Sequence, residues 1–502
     1  MFRAARLKVS KIARRRGMWM VLSLVSSLVA FPGWGDCIGW EIELAPGTPR
    51  QAFAKGLTYI HQGDYHRALV EFQQMTTKGS IDANTWFYLG VCLGKLGRYQ
   101  EGMKAYQKAL LLNPGHAEAF SNLGWLCGRL GLWKQAVDAY THGLQARPDL
   151  AETHNNLGWA YQQLGRHELA VKAYSEALRL KPELAVAHNN LGMAYGALGR
   201  NSEAIQAYRE AVRLNPRYAE AFNNLGVRYV KSGQLEEAAE SYRRAIRIRP
   251  DFAVAHNNLG VVYQMLGCGR DAIEAYLKAL SIDSSLAEVH NNLGLTYAGL
   301  GSWQEAVESY RQAIRLRSDF IEAINNLAET FCKMGRYQDE VATWKEVIRV
   351  KPDSALAYNN LGVAQGRLGH SREEIKFCKH AVKIKPDLAV AYYNLAVSYL
   401  LRGDKYSASE QRRILESLDS RLAEKLRNFS VSQFTVRIGD AKNSESRSVH
   451  PTAGNLPSTF DETVVGKVPG SFTFPVSNQK VNQSQSDVTS TTLQEILAGT
   501  DQ

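Results

Sequence analysis

Apolar and polar positions recur along this chain with a period of 34 residues, and each period holds the pattern of two helices. The tetrapeptide Asn-Asn-Leu-Gly begins at Asn155, Asn189, Asn223, Asn257, Asn291 and Asn359, with Asn-Asn-Leu-Ala at Asn325. This register defines eleven units starting at residues 49, 83, 117, 151, 185, 219, 253, 287, 321, 355 and 389, with no insertion between them. Apolar residues at positions 7, 11 and 14 of a unit, such as Leu157, Tyr161 and Leu164, line one face of a first helix. Position 15 is glycine in every unit, from Gly63 to Gly403, and glycine takes the left-handed conformation that ends a helix.

The remaining positions predict a second, antiparallel helix packed closely on the first. Position 8 is glycine or alanine throughout, and small residues at positions 8 and 20 let two helices approach. Position 24 carries a ring in Tyr140, Tyr174, Tyr208, Tyr242, Tyr276 and Tyr310 that fills the space between them. Proline at position 32, as in Pro182 and Pro216, stops the second helix. Glu340 and Glu374 break the small-residue rule at position 20, which predicts looser packing in the ninth and tenth units.

These residues closely resemble the tetratricopeptide-repeat (TPR) family. The resemblance implies an all-α fold: a superhelical α-solenoid of about eleven helix-turn-helix units over residues 49–422, forming one cooperative array with protected ends. Thr48-Pro49 reads as an N-cap and first helical residue. Leu422, Leu426 and Phe429 predict a capping helix over 423–430, and the Ser/Thr-rich stretch 431–502 has no period and reads as a disordered tail.

In the TPR superhelix the first helices line a concave groove, and the resemblance implies that partners bind there. Asparagine occupies position 6 in nine consecutive units: Asn122, Asn156, Asn190, Asn224, Asn258, Asn292, Asn326, Asn360 and Asn394. Position 6 lies off the apolar stripe, so it is expected to face the groove. A carboxamide both donates and accepts, which suits the alternating N–H and C=O groups of an extended peptide. The ladder resembles the TPR half of O-linked N-acetylglucosamine transferases, where asparagines at this repeat position grip substrate peptide. Those enzymes carry a large catalytic region after the repeats, and none is expected in residues 423–502. The same asparagines also suit hydrogen bonding between adjacent repeats, and both readings stand at the level of sequence.

Composition changes this picture little. The net charge of +11 is concentrated in Arg3, Arg6, Lys8, Lys11, Arg14, Arg15 and Arg16, ahead of an apolar run from Met18 to Phe31. That layout predicts a signal peptide or an N-terminal membrane anchor over residues 1–35, followed by a linker over 36–48. The expected location is therefore export, periplasmic or extracellular, or attachment to a membrane. Six scattered cysteines indicate neither a disulfide framework nor a zinc site, and Cys127 and Cys378 fall at packing positions. His154, His188, His256 and His290 recur at position 4 as a structural column rather than converging on a metal. Arg243, Arg244, Arg247 and Arg249 read as a solvated face, since single-stranded nucleic acid wants a basic groove with stacking rings. No phosphate loop, dinucleotide fingerprint or nucleophile elbow occurs.

The expectation is thus a non-catalytic interaction scaffold that binds an extended peptide or partner protein, with no cofactor, metal, nucleic acid or small-molecule substrate. The alternative is an accessory, substrate-recruiting subunit of a separate enzyme such as a protein glycosyltransferase.

Overall fold

The computed structural model describes residues 49–77 and 82–429. The expected signal or anchor, the linker with Thr48 and Cys37, and the tail lie outside the described residues. Every element of the described residues is helical, and the architecture is a helical-repeat solenoid. Each first helix has 13 residues and begins where the sequence register places it, at Pro49, Ala83 and so on to Ala389. Each second helix begins sixteen residues after the first and has 14 residues, except Tyr65–Thr77, which has 13.

The turn between the two helices is set by the glycine at position 15. All eleven have φ between 69° and 80°. At Gly267 the glycine N–H bonds the Gln264 carbonyl at 3.1 Å, and Cys268 N–H reaches back to Tyr263 O at 2.8 Å. These bonds satisfy carbonyls that the helix end leaves open.

Close approach of the paired helices depends on position 8. A Cβ added to Gly260 would stand 2.6 Å from the Tyr276 ring, and one on Gly226 would stand 2.7 Å from Tyr242. The ring therefore lies flat on the backbone of the first helix. Opposite it, Ala136, Ala170, Ala204, Ala238, Ala272 and Ala306 at position 20 are fully buried. Rings and small residues interlock down the repeat, as close packing of a protein interior demands.

Glu340 and Glu374 enter this alanine row enclosed, at 3% and 2% exposure. Glu340 Oε1 accepts from Arg367 Nη1 at 2.8 Å and from Trp344 Nε1 at 3.4 Å. Glu374 occupies space left by Gly366, where a Cβ would meet the carboxylate. The two larger side chains are accommodated by a counter-charge in one repeat and by a missing side chain in the next.

The chain divides after Asn113 into two compact units. The first unit holds repeats one and two, with Phe53, Phe72 and Tyr88 as an aromatic cluster at centroid distances of 5.6 to 5.8 Å.

The second unit holds repeats three to eleven. There each second helix packs on the first helix of the next repeat, and most successive first helices also touch. Its last helix, Ser420–Arg427, begins three residues before the predicted 423 because Asp419 caps it, accepting from Arg421 N at 3.0 Å and Leu422 N at 3.2 Å. Ala423 and Leu426 are buried against Tyr393, Val397 and Leu415.

Candidate functional site

A first helix in the second unit touches its own second helix, the preceding second helix and the neighbouring first helices. It therefore buries more than one face, and the helix Ala219–Lys231 is buried without a break from Ala221 to Tyr229. This determines where the position-6 asparagines lie. Asn190, Asn224, Asn258, Asn292, Asn326, Asn360 and Asn394 are nine-tenths or more buried, while Asn122 and Asn156 are partly buried. Instead of standing free on an open face, the buried seven lie in the seam between successive repeats.

Their partners are the asparagines at position 5 of the preceding repeat. Nδ2 of Asn190 donates to Oδ1 of Asn155 at 3.0 Å, and Asn224 donates to Asn189 at 3.2 Å. The same bond runs from Asn258 to Asn223, Asn292 to Asn257, Asn326 to Asn291 and Asn394 to Asn359, at 2.9 to 3.2 Å. Within four repeats position 5 also donates to position 6, as from Asn359 to Asn360 at 3.1 Å. The doubled Asn-Asn is thus a row of side-chain amides bonded across six of the seams between repeats. Asn360 Nδ2 and Asn325 Oδ1 leave one rung open, and Asn223 Nδ2, Asn291 Nδ2, Asn292 Oδ1 and Asn394 Oδ1 are also buried without a hydrogen-bond partner.

Other residues singled out from sequence have structural partners. Nε2 of His154, His188 and His256 bonds the carbonyl of the proline six residues earlier at 2.9 to 3.0 Å, and His290 bonds Ser284 O at 3.3 Å. Burial lowers the pKa of His256 and His290, which favours the neutral ring. Among the described residues no group of His, Cys, Asp and Glu could hold a metal ion. Cys92, Cys127 and Cys378 are buried, and burial pushes the Cys92 and Cys127 thiols up to about 12, away from reactivity.

The arginine cluster is engaged locally: Arg249 pairs with Glu220 at 2.6 Å, Arg243 donates to the Tyr263 hydroxyl at 3.3 Å, and Arg244 lies over the Phe222 ring. Nothing in the described residues is long and apolar enough to cross a membrane as a helix.

Two features escaped the sequence reading. Glutamate at position 2 pairs with a base at position 31 of the same repeat, as in Glu118–Arg147, Glu152–Lys181 and Glu288–Arg317 at 2.7 to 2.9 Å. Comparing those two positions down the repeat would have found it. The second is Arg228 at position 10, where every other repeat carries an apolar residue or a small hydroxyl, from Thr58 and Cys92 to Ala364 and Ser398.

The fold and the seam define a helical-repeat solenoid whose units are tied side to side through their first helices. Comparison with known proteins names the repeat. Residues 50–292 match the family model for the cilia and flagella-associated protein 70 C-terminal domain. Residues 287–320 and 355–388 match tetratricopeptide-repeat models, and 329–369 match a further TPR repeat model. The chain carries tetratricopeptide repeats.

No curated protein matches the chain. Among solved structures, MamA matches at 30% identity and a TM-score of 0.31, over 32% of this chain and 95% of that one. A second MamA structure matches at 29% identity and a TM-score of 0.32, over 34% and 94%. YrrB, described as a TPR protein with an unusual peptide-binding site, matches at 26% identity and a TM-score of 0.33, over 37% and 95%.

Proposed function

We propose that this protein is an interaction scaffold that binds an extended segment of a partner protein along the first helices of its repeats, over the asparagine seam. The observation that carries the reading is the amide row itself. An asparagine amide offers two donor hydrogens and two acceptor lone pairs. The inter-repeat bonds use part of that capacity, and buried amide atoms of Asn223, Asn291, Asn292, Asn325, Asn360 and Asn394 keep no partner. Unsatisfied buried polar atoms are costly and rare in native proteins. An extended main chain running along the first helices would meet the row where its amides stay partly exposed, at Asn122, Asn155 and Asn156. In this reading Asn156, which accepts from Asn155 Nδ2 at 3.4 Å, and Asn122, both less buried, extend the same line. The N-terminal basic and apolar segment supports placing the scaffold outside the cytoplasm or at a membrane.

The test is site-specific photo-crosslinking in cells that carry the protein natively. Met265 is 45% exposed and lies seven residues beyond Asn258, on the same helical face; Leu277, on the second helix, is 49% exposed. A photoreactive residue at 265 should capture a short extended segment of a defined partner, located by mass spectrometry, and one at 277 should not. Equal capture at both positions, or capture only at 277, would move the binding surface off the first helices.

A further inference from the structure

A cleft of about 420 Å³ opens between the second helices of repeats six and seven, a volume within the range of small-molecule sites. One wall is the helix Leu235–Ile248, with Arg243 and Arg247; the other is Gly269–Ile282, with Asp271, Glu274 and Lys278. His256 and Tyr263 belong to the first helix between them. The lining residues include none of the amide row.

Elsewhere the repeat cancels the charge at this place. Position 29 is arginine in repeats four, five, six, eight and nine. In three of these a glutamate at position 26 grips it: Arg179–Glu176 at 2.7 Å, and Arg213–Glu210 and Arg349–Glu346 at 2.5 Å. In repeat eight Arg315 has Gln312 at 3.0 Å and Glu308 at 2.6 Å. Repeat six carries Arg244 at position 26 instead, and that side chain lies over Phe222. Among the described residues Arg247 keeps only a 4.0 Å contact with Glu240, and its side chain is 65% exposed. Repeat seven brings a further base at position 26, Lys278, to the opposite wall. Lys278, Glu274 and Asp271 make no ion pair among the described residues, although Glu274 stands one turn before Lys278. Arg243 is committed to the Tyr263 hydroxyl at 3.3 Å, so Arg247 and Lys278 are the cationic donors left to the cleft.

His256 adds an acceptor. Its Nε2 bonds the Pro250 carbonyl at 3.0 Å, and a carbonyl can only accept, so the neutral ring carries its hydrogen there and leaves Nδ1 to accept. Burial first, and the Lys278 charge after it, favour that neutral ring. Glu274 and Asp271 precede Lys278 by four and seven residues, about 6 and 10 Å along the helix axis.

These groups select a ligand class. Two cationic donors on facing walls suit a phosphate, which offers acceptor oxygens on several sides. A neutral imidazole nitrogen and two carboxylates within a few turns accept hydrogen bonds and repel further negative charge, so they suit hydroxyl groups. A nucleic-acid strand brings a phosphate at every residue, and the two acids oppose it. We propose that this cleft binds a phosphorylated sugar or polyol, with its phosphate on Arg247 and Lys278 and its hydroxyls on His256 Nδ1, Glu274 and Asp271. The site stands apart from the peptide-scaffold reading and adds to it a second ligand of another chemical class.

The test is isothermal titration calorimetry of the full chain with glycerol 3-phosphate, ribose 5-phosphate and glucose 6-phosphate, against inorganic phosphate and unphosphorylated glucose. The variants are Arg247→Met, Lys278→Met and Glu274→Gln, all at exposed positions, with thermal unfolding alongside. Expected is one-to-one binding of at least one phosphorylated compound, tighter than that of inorganic phosphate and weakened about tenfold by each base variant. Glu274→Gln should bring the affinities for that compound and for inorganic phosphate together. Vesicles of phosphatidylcholine with phosphatidylinositol 4-phosphate present the same chemistry on a membrane. Tighter binding to them than to the soluble compounds assigns a lipid headgroup, and binding to the soluble compounds alone assigns a free ligand.

Inorganic phosphate bound as tightly as every phosphorylated compound, an affinity unchanged in both base variants, or no binding of any compound or vesicle overturns the site. Each of these results leaves the scaffold reading standing.

Discussion

Asn258 donates from Nδ2 to Oδ1 of Asn223 at 3.0 Å across 35 residues of sequence, and both side chains are essentially inaccessible to water. The bond can form only when repeats six and seven are stacked in one register. It therefore reports the interface between repeats, where much of the stability of a solenoid resides. The same bond in five other places makes the asparagine seam a stabilising element independently of any ligand.

Asn258→Ala should accordingly destabilise the second unit by about 1–3 kcal/mol, because it strands the buried Asn223 carbonyl oxygen. Asn122→Ala, partly buried and outside the bonded row, should change stability by no more than about 0.5 kcal/mol. Urea unfolding followed by circular dichroism compares the two. Equal effects would show that the inter-repeat bond contributes nothing specific.

Two glycines of the seventh repeat should fail for different reasons when replaced by alanine. At Gly260 the new methyl meets the Tyr276 ring at 2.6 Å, so overpacking of about 1–3 kcal/mol is expected, relieved in part by Tyr276→Leu. At Gly267 nothing lies within 4 Å, and the cost of about 1–2 kcal/mol comes from holding φ at +77°. A double-mutant cycle with Tyr276→Leu should show coupling for Gly260→Ala and none for Gly267→Ala.

The buried pair in the ninth and tenth repeats should respond asymmetrically. Arg367→Met leaves the enclosed Glu340 carboxylate without its cation and should cost about 3–5 kcal/mol. Adding Glu340→Leu should recover most of that loss. If the double variant is as unstable as the single one, the ion pair is not what holds this junction.

Glu374 should make stability depend on pH. Burial pushes its carboxyl up to about 7, and the Arg367 charge opposes that shift only in part. The folded-state pKa is above that of the unfolded chain, so the contribution is fully present below the ordinary carboxylate range and is lost as pH rises through about 7. Glu374→Gln should remove this dependence and raise stability at pH 8 by on the order of 1–3 kcal/mol. Melting temperatures of the two proteins across pH 5 to 8 read it; parallel profiles would show that Glu374 does not titrate in that window.

Helix starts and turns were legible in the sequence because each is set by residues close in the chain. Gly267 ends its helix through its own φ and through bonds to carbonyls three and five residues away. The Gly260–Tyr276 contact spans one helical hairpin, and the repeated Gly and Tyr reveal it. The faces of the first helices were legible only in part, since the asparagines suited both a groove and bonding between repeats. Position 6 stands off the stripe formed by positions 7, 11 and 14, and for a helix with one buried face that means exposure. Successive first helices pack on one another and bury it.

The sequence by itself determined the repeat, its register and the ends of its helices, since 34-residue periodicity and local turn chemistry act within one unit. Only the tertiary structure decided the partners between units. It divided the chain at Asn113, joined Asn258 to Asn223, and enclosed Arg228 against Gly196 without an acid. These relations depend on how one hairpin stacks on the next. That stacking sums many weak contacts between residues more than thirty positions apart, and no pattern within a single unit encodes it.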